Sequence, residues 1–108
     1  QMSGTSYTFS LKAQEKVVEK VVDDENVVIN HIVLPQGDSL PPHRANSHVH
    51  MIVLRGTLTL KLGEAAPKSY PSGEIVPILF QTPMEVSNQD KEPVEFFVIK
   101  SPNPKALS

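Results

Sequence analysis

Short apolar runs, separated by prolines and glycines, make up most of the chain. Val, Ile and Leu dominate these runs, and β-branched residues of this kind favour β-strands over helices. Turn residues that lie between the runs indicate tight reversals of the chain. The pattern therefore predicts strands at KVVEKVV (16–22), VVINHIVL (27–34), VHMIVL (49–54), TLTLKL (57–62), IVPILF (75–80) and PVEFFVIK (93–100).

Three of the runs also predict how their strands are buried. In TLTLKL, Leu58, Leu60 and Leu62 alternate with polar residues, which is typical of a strand with one core face and one wet face. The run 27–34 is apolar almost throughout, which indicates burial on both faces. The proline in IVPILF indicates an edge strand or a bulge. Residues 10–22 have a composition that also suits a helix, but the Val-Val pairs break a helical stripe and favour a strand from about residue 16.

Strands at short spacing and the lack of a clear helix predict an all-β protein, either a barrel or a jelly roll. A chain of 108 residues is long enough for one core. We expect a partly extended N-terminal segment at 1–15, the barrel at 16–100 and an unstructured, flexible tail at 101–108. The tail contains prolines and has little apolar surface to bury.

Composition excludes several classes of function. The chain has no cysteine, which excludes disulfides, thiolate metal sites and cysteine nucleophiles. Ten basic and twelve acidic residues give a net charge of −2, and the scattered basic residues predict no nucleic-acid partner. The chain contains no apolar run long enough to cross a membrane, so we expect no membrane partner. We expect a soluble, cytoplasmic protein.

Two spaced motifs give the chain a resemblance to the cupins. The first cupin motif places Gly, His-x-His, Glu and Gly at set intervals, and Gly37, His43 and Gly56 fall at these positions. The second places Gly, Pro-x-Gly, His and Asn, and Gly73 and Asn88 fit it, with Leu79 and Gln81 at the Pro and Gly positions. The resemblance covers roughly 27–100 and implies a double-stranded β-helix, a jelly-roll barrel of the RmlC-like cupin type.

The resemblance also implies four metal ligands, and most of them are replaced here. Only His43 keeps its identity, while Ala45, Val49 and Met84 stand where the family has a second His, a Glu and a third His. Ala and Val cannot ligate an ion, and a thioether does not suit a hard divalent cation. We therefore expect no metal cofactor, and the usual metal-dependent cupin reactions become doubtful.

Three of the four histidines lie close together in PPHRANSHVHM (41–51), which leaves a second interpretation of the metal site open. His48 and His50 share one face of a strand, and the cupin register turns Val49 inward and both imidazoles outward. A bulge before His48 would shift the register and bring His43, His48 and His50 together. Such a site, with Met84 nearby, would suit Zn or another divalent transition ion such as Cu.

The remaining polar candidates suggest a small-molecule pocket. His31 lies in an apolar strand, where a histidine is more often a satisfied core residue than a ligand. Together with His43 it could form a polar spot in an apolar cavity that Val49, Met51 and Met84 also line. These five residues are the predicted pocket lining.

Three functions are compatible with these observations. The first is a small-molecule binding or regulatory module without the usual metal centre. The second is a metal-dependent oxygenase or isomerase that uses the histidines. The third is a structural role as a homodimer, since strands that are apolar on both faces need cover. No catalytic residue can be named, because no serine can be placed beside a His and a carboxylate and no hydrolase or phosphate-loop motif occurs.

Overall fold

Two antiparallel β-sheets face each other in the computed structural model, which describes residues 3–108. The first sheet has the strand order β1-β2-β9-β4-β7 and the second has the order β3-β8-β5-β6. The all-β prediction is confirmed. The strands are β1 Val17–Asp23, β2 Val28–Leu34, β3 His43–Arg44, β4 Val49–Arg55, β5 Thr57–Leu62, β6 Lys68–Pro71, β7 Ile75–Ile78, β8 Pro83–Ser87 and β9 Val94–Lys100.

Alternate residues of each strand fill the space between the sheets, as the pleat of a β-strand requires. In β5 the buried positions are Leu58 and Leu60, and Leu62 packs against the same core, so the predicted alternation is confirmed. Facing residues from the first sheet include Val49, Met51, Val53, Phe96 and Val98. Each fully buried side chain of this size removes apolar surface worth about 1.5–3 kcal/mol from water.

Three short strands were not among the predicted ones. The strands β3, β6 and β8 contain two, four and five residues, and each includes or follows a proline or a charged residue. Such segments are too short to show a period, so they form strands only because longer neighbours supply hydrogen-bond partners. The strand β3 pairs with β8, and β6 pairs with β5.

Both faces of β2 are covered, which confirms the prediction for its apolar run. Its inner residues Ile32 and Leu34 belong to the core between the sheets. On the outer side, His31 and Val33 are also fully buried. The N-terminal segment provides part of this outer cover, because the Phe9 ring lies 4.8 Å from the His31 ring and 5.1 Å from the Phe97 ring. Gln1 and Met2 of that segment lie outside the described residues.

Two local features concern the edge of the first sheet and one glycine. The strand β7 is the last strand of its sheet, so Pro77 lies in an edge strand as predicted. Gly56 joins β4 to β5 with φ of +76°, and a Cβ there would lie 2.3 Å from the Pro93 carbonyl oxygen. Only glycine fits this junction without moving the backbone.

The C-terminal tail is more ordered than an unstructured segment. Pro104–Leu107 forms a 3₁₀ helix, capped by the Asn103 side chain. The Asn103 amide nitrogen donates to Asp23 Oδ1 at 2.8 Å and to the Asp24 carbonyl at 2.7 Å, and the Ser47 hydroxyl donates to the Pro102 carbonyl at 2.6 Å. These long-range partners cannot be read from composition.

Within residues 3–108, no helix is long and apolar enough to cross a membrane.

Candidate functional site: a small cavity inside the barrel

One cavity of about 60 Å³ opens between the two sheets, beside the short strand β3. Its lining is mostly apolar, with four polar residues, and it contains no carboxylate. Four of the five predicted pocket residues, His43, Val49, Met51 and Met84, are among the residues that line it. The others are Asn30, Ile32, Leu40, Ala45, Asn46, Val98 and Lys100.

The positions of the four expected cupin ligands converge on this cavity. His43, Ala45, Val49 and Met84 all line it, although they come from three different strands and a connecting loop. Val49 and Met84 are buried, which confirms that position 49 turns inward. The register of the two motifs therefore places these residues correctly in space.

Backbone conformation supports the same register. Gly37, Gly56 and Gly73, at the glycine positions of the motifs, all have positive φ. Gln81 occupies the remaining glycine position and has φ of +69°. Among residues 3–108 it is the only non-glycine residue with a positive φ. A left-handed conformation is unfavourable for a residue with a Cβ, so the fold imposes it here. The turn geometry is thus retained although its glycine is not.

His43 stands at the mouth of the cavity. It pairs with Met84 across β3 and β8, and its Nδ1 donates to the Pro41 carbonyl at 2.9 Å. The other ring nitrogen, Nε2, makes no hydrogen bond within the described part of the chain, and the side chain is exposed. A shallow groove of about 270 Å³ on the outside also includes His43 and Met84. His43 can therefore contact a molecule that enters from the groove.

Three polar residues of the cavity, Asn30, Asn46 and Lys100, are not among the predicted ones. Asn30 lies on β2, and Lys100 is the last residue of β9. Burial lowers the pKa of the Lys100 ammonium, and the positive charge of Lys20 acts in the same direction. The alternation of β9 could have indicated this placement, since Phe96 and Val98 share the inner face with position 100.

His31 does not line the cavity with His43. Its ring lies on the outer side of β2, where Nδ1 is 2.7 Å from Glu19 Oε2 and Nε2 is 2.7 Å from Glu95 Oε2. The expected polar pair of His31 and His43 is therefore not formed. The cavity is lined by the inner face of β2, whereas the His31 side chain lies on the outer face of that strand. His31 is a satisfied buried histidine, consistent with the simpler interpretation.

The alternative three-histidine site is not assembled either. His48 and His50 are exposed, while their neighbours Val49 and Met51 are buried, so no bulge turns the two imidazoles toward His43. In the region from residue 3 to residue 108, no group of three or more His, Asp or Glu side chains is arranged to hold a metal ion.

The residues around the cavity do not fit the metal centre that the cupin fold implies. His43 is the only imidazole there, and Met84 is the only other side chain of the four ligand positions with a donor atom. A thioether suits soft ions, and no carboxylate completes the set. A hard divalent ion would have one good protein ligand at this position.

Comparison with known proteins defines the class first. The architecture matches a cupin superfamily protein of Desulfitobacterium hafniense with a TM-score of 0.73, at 8% identity, covering 86% of this chain and 83% of that one. The cupin domain of Schizosaccharomyces pombe Cnp3 gives 0.73 at 13% identity, covering 90% of this chain and 68% of that one. At these identities the likeness concerns the fold, which is the double-stranded β-helix.

A third comparison identifies the family. A crystal structure of an RmlC-like cupin family protein from Methanocaldococcus jannaschii matches with a TM-score of 0.94 and 45% identity, covering 99% of this chain and 98% of that one. The curated sequence of that same protein, described as uncharacterized, is 46% identical over 102 residues, which are 94% of this chain and 88% of the relative. No family model matches the chain. The chain belongs to the RmlC-like cupin family, and the predicted fold is confirmed.

Proposed function

We propose that this cupin is a small-molecule binding module, or a regulatory module that responds to such a molecule, and that it works without the usual cupin metal centre. The observation that supports this proposal is the cavity at the former ligand positions. Three of those four positions carry Ala45, Val49 and Met84, while His43 remains at the mouth. Catalysis through a Lewis acid needs ligands that these side chains do not supply.

The lining has the composition that small-ligand sites use. Such sites are mostly apolar and contain a few polar groups that orient the ligand. Met51 and Met84 supply adaptable apolar contacts, and the free Nε2 of His43 supplies a hydrogen-bonding group. The cavity volume of about 60 Å³ limits a fully enclosed ligand to a few non-hydrogen atoms, with any larger part lying in the outer groove.

A fragment screen against a filled cavity tests this proposal. Ala45 is 2% exposed and lines the cavity, so Ala45→Leu places three more carbon atoms there. The matched control is Ala66→Leu in an exposed turn. Fragments detected by ligand-observed NMR should bind the parent protein and Ala66→Leu but not Ala45→Leu. A library that yields no binder, or binders that Ala45→Leu retains, would refute a cavity site.

The alternative function, a metal-dependent oxygenase or isomerase, makes a different prediction. It requires stoichiometric Zn, Cu, Fe, Mn or Ni in protein purified without added metal, and loss of that metal in a His48→Ala, His50→Ala double variant. Elemental analysis decides between the two. We expect less than one tenth of an equivalent of any transition ion, in both the parent and the double variant.

We also propose that two copies associate as a homodimer in the cytoplasm. Leu54 on β4 and Ile75 on β7 are exposed large apolar residues on neighbouring strands of the first sheet. Ile52 on β4 pairs directly with Ile75, so the three side chains share one face of the sheet. A second copy that covers this face would remove their surface from water. Light scattering at micromolar concentration should give twice the mass of 11.9 kDa, and Ile75→Glu should give the monomer mass. A monomeric parent would contradict the dimer.

A further inference from the structure

Lys100 is directed into the barrel by the register of its strand. It pairs with Val28 on β2 and with Val49 on β4, and both partners are buried. Directly paired residues of neighbouring strands point to the same face of a sheet. The Lys100 side chain therefore lies on the core face, where it lines the cavity and is partly buried.

No counter-charge compensates this ammonium group. The cavity lining contains no Asp or Glu, and Lys100 Nζ makes no ion pair or hydrogen bond within residues 3–108. Two other lysines on strands do have acidic partners. Lys20 lies 3.5 Å from Asp23, and Lys61 lies 4.0 Å from Glu85. Partial burial of an unpaired cation costs free energy, and the lowered pKa of Lys100 has the same cause.

An anion in the cavity would offset this cost. Asn30 lies two residue pairs along the sheet from Lys100, on the same face, and offers an amide N–H, while the ring of His43 lies at the cavity mouth on the opposite sheet. Apart from Asn46, the remaining surface, including Met51 and Met84, is apolar and would be poorly matched by a fully hydrated inorganic anion. A carboxylate with a short alkyl chain satisfies both parts of the lining.

We propose that the cavity binds a short-chain carboxylate, with its oxygens at Lys100 and Asn30 and its alkyl chain against Met51 and Met84. The proposal rests on the proposed binding function and names the chemical class of its ligand. Charge-assisted hydrogen bonds in a partly desolvated site are stronger than neutral ones. Lys100 is thus the residue that selects for negative charge.

Isothermal titration with butyrate and with its neutral isostere butyramide tests this assignment at low chloride. The parent protein should bind butyrate at least tenfold more tightly than butyramide. Lys100→Met retains the apolar stem and should weaken butyrate binding roughly ten- to a hundredfold, with little effect on butyramide. The matched control Lys91→Met removes the same charge from an exposed turn and should leave both affinities unchanged.

The outcomes separate this inference from the proposed function. Equal affinity for the two compounds would overturn the role of charge and leave a neutral-ligand site in place. Undiminished butyrate binding by folded Lys100→Met would overturn the role of Lys100. Absence of butyrate binding would also overturn the inference, whereas the binding function itself fails when the fragment screen finds no binder or only binders that Ala45→Leu retains. The comparison of butyrate with butyramide uses only the parent protein, so it still tests the preference for negative charge when Lys100→Met does not fold.

Discussion

His31 and His43 lie on opposite sides of the barrel wall, and the two environments assign them different tasks. His31 is fully buried, and both of its ring nitrogens meet carboxylate oxygens at 2.7 Å. His43 is exposed at the mouth of a cavity and uses one ring nitrogen on the Pro41 carbonyl. A histidine whose hydrogen-bonding capacity is used inside the protein stabilises the fold, whereas one with a free nitrogen beside a cavity can contact a ligand.

The cluster around His31 also connects parts of the chain that are distant in sequence. Glu19 Oε2 accepts a hydrogen bond from the Ser10 backbone N–H at 2.8 Å as well as facing His31. Arg55 contacts Glu95 at 3.4 Å and donates to the Ala13 carbonyl at 2.7 Å. The two carboxylates face the two ring nitrogens of the same buried imidazole. This network attaches the N-terminal segment to the outer face of the first sheet.

The largest effect should follow from removing the buried ring. His31→Ala leaves a cavity and two carboxylates without their shared partner, and we expect a loss of about 2–4 kcal/mol in the free energy of unfolding. The matched control His50→Ala removes an exposed imidazole and should change stability by less than about 0.5 kcal/mol. Urea unfolding measures both. Similar losses of unfolding free energy in His31→Ala and His50→Ala would contradict a stabilising role for His31.

A smaller effect should follow from removing the aromatic cover over His31. Phe9 packs edge-on against Phe97 with interplanar angle 85°, and Phe9→Ala should cost about 1–2 kcal/mol. Tyr7 is similarly exposed and has no aromatic partner among the described residues, so Tyr7→Ala should cost less than about 0.5 kcal/mol. Urea unfolding again gives the measurement. A larger cost for Tyr7→Ala would mean that the N-terminal segment is held by other contacts.

The same cluster should make stability depend on acid. The Ser10 N–H lowers the pKa of Glu19 below its ordinary value of 4.5, and the hydrogen bond with His31 adds to this effect. A carboxyl group whose pKa is lower in the folded state stabilises the protein above pH 4.5, and this stabilisation is lost as the pH falls through the folded-state pKa. Glu19→Gln should therefore flatten the acid side of a stability profile measured by urea unfolding. An unchanged acid limb would contradict the hydrogen-bonded role of Glu19.

The smallest effect on stability is expected at the other histidine. His43→Ala should change the free energy of unfolding by less than about 0.5 kcal/mol, because the ring is exposed. It should weaken ligand binding in the cavity about fivefold, because the contacts of the ring at the cavity mouth are lost. The control His48→Ala should change neither quantity. Titration with butyrate, combined with urea unfolding, measures both effects, and a large loss of stability in His43→Ala would make this residue structural as well.

The sequence predicts the strands, and which of their side chains point inward, better than it predicts the contacts between strands. The alternation in β5 and the inward direction of Val49 depend on a period of two residues, which is visible locally. The partners of His31 are 12 and 64 residues away, so no local pattern connects them. The C-terminal 3₁₀ helix depends on Asn103 contacts with Asp23 and Asp24, which are also distant in sequence.

The candidate site shows the same division. Motif spacing brought His43, Val49 and Met84 to one cavity, because spacing in a cupin determines where each position lies in the barrel. Lys100 was not identified, since a lysine at the end of a strand is usually solvated and only the pairing with Val28 and Val49 shows its inward direction. The sequence does not separate His31 from His43, because neither the face of His31 nor its distance from His43 can be read from composition.

Electron density inside the barrel, from crystals grown with butyrate and measured with anomalous scattering, tests the central claim most directly. We expect a short carboxylate with an oxygen within hydrogen-bonding distance of Lys100 Nζ and no anomalous peak from a metal ion in the cavity. An anomalous peak coordinated by His43, or a cavity that contains water alone at saturating butyrate, would contradict it.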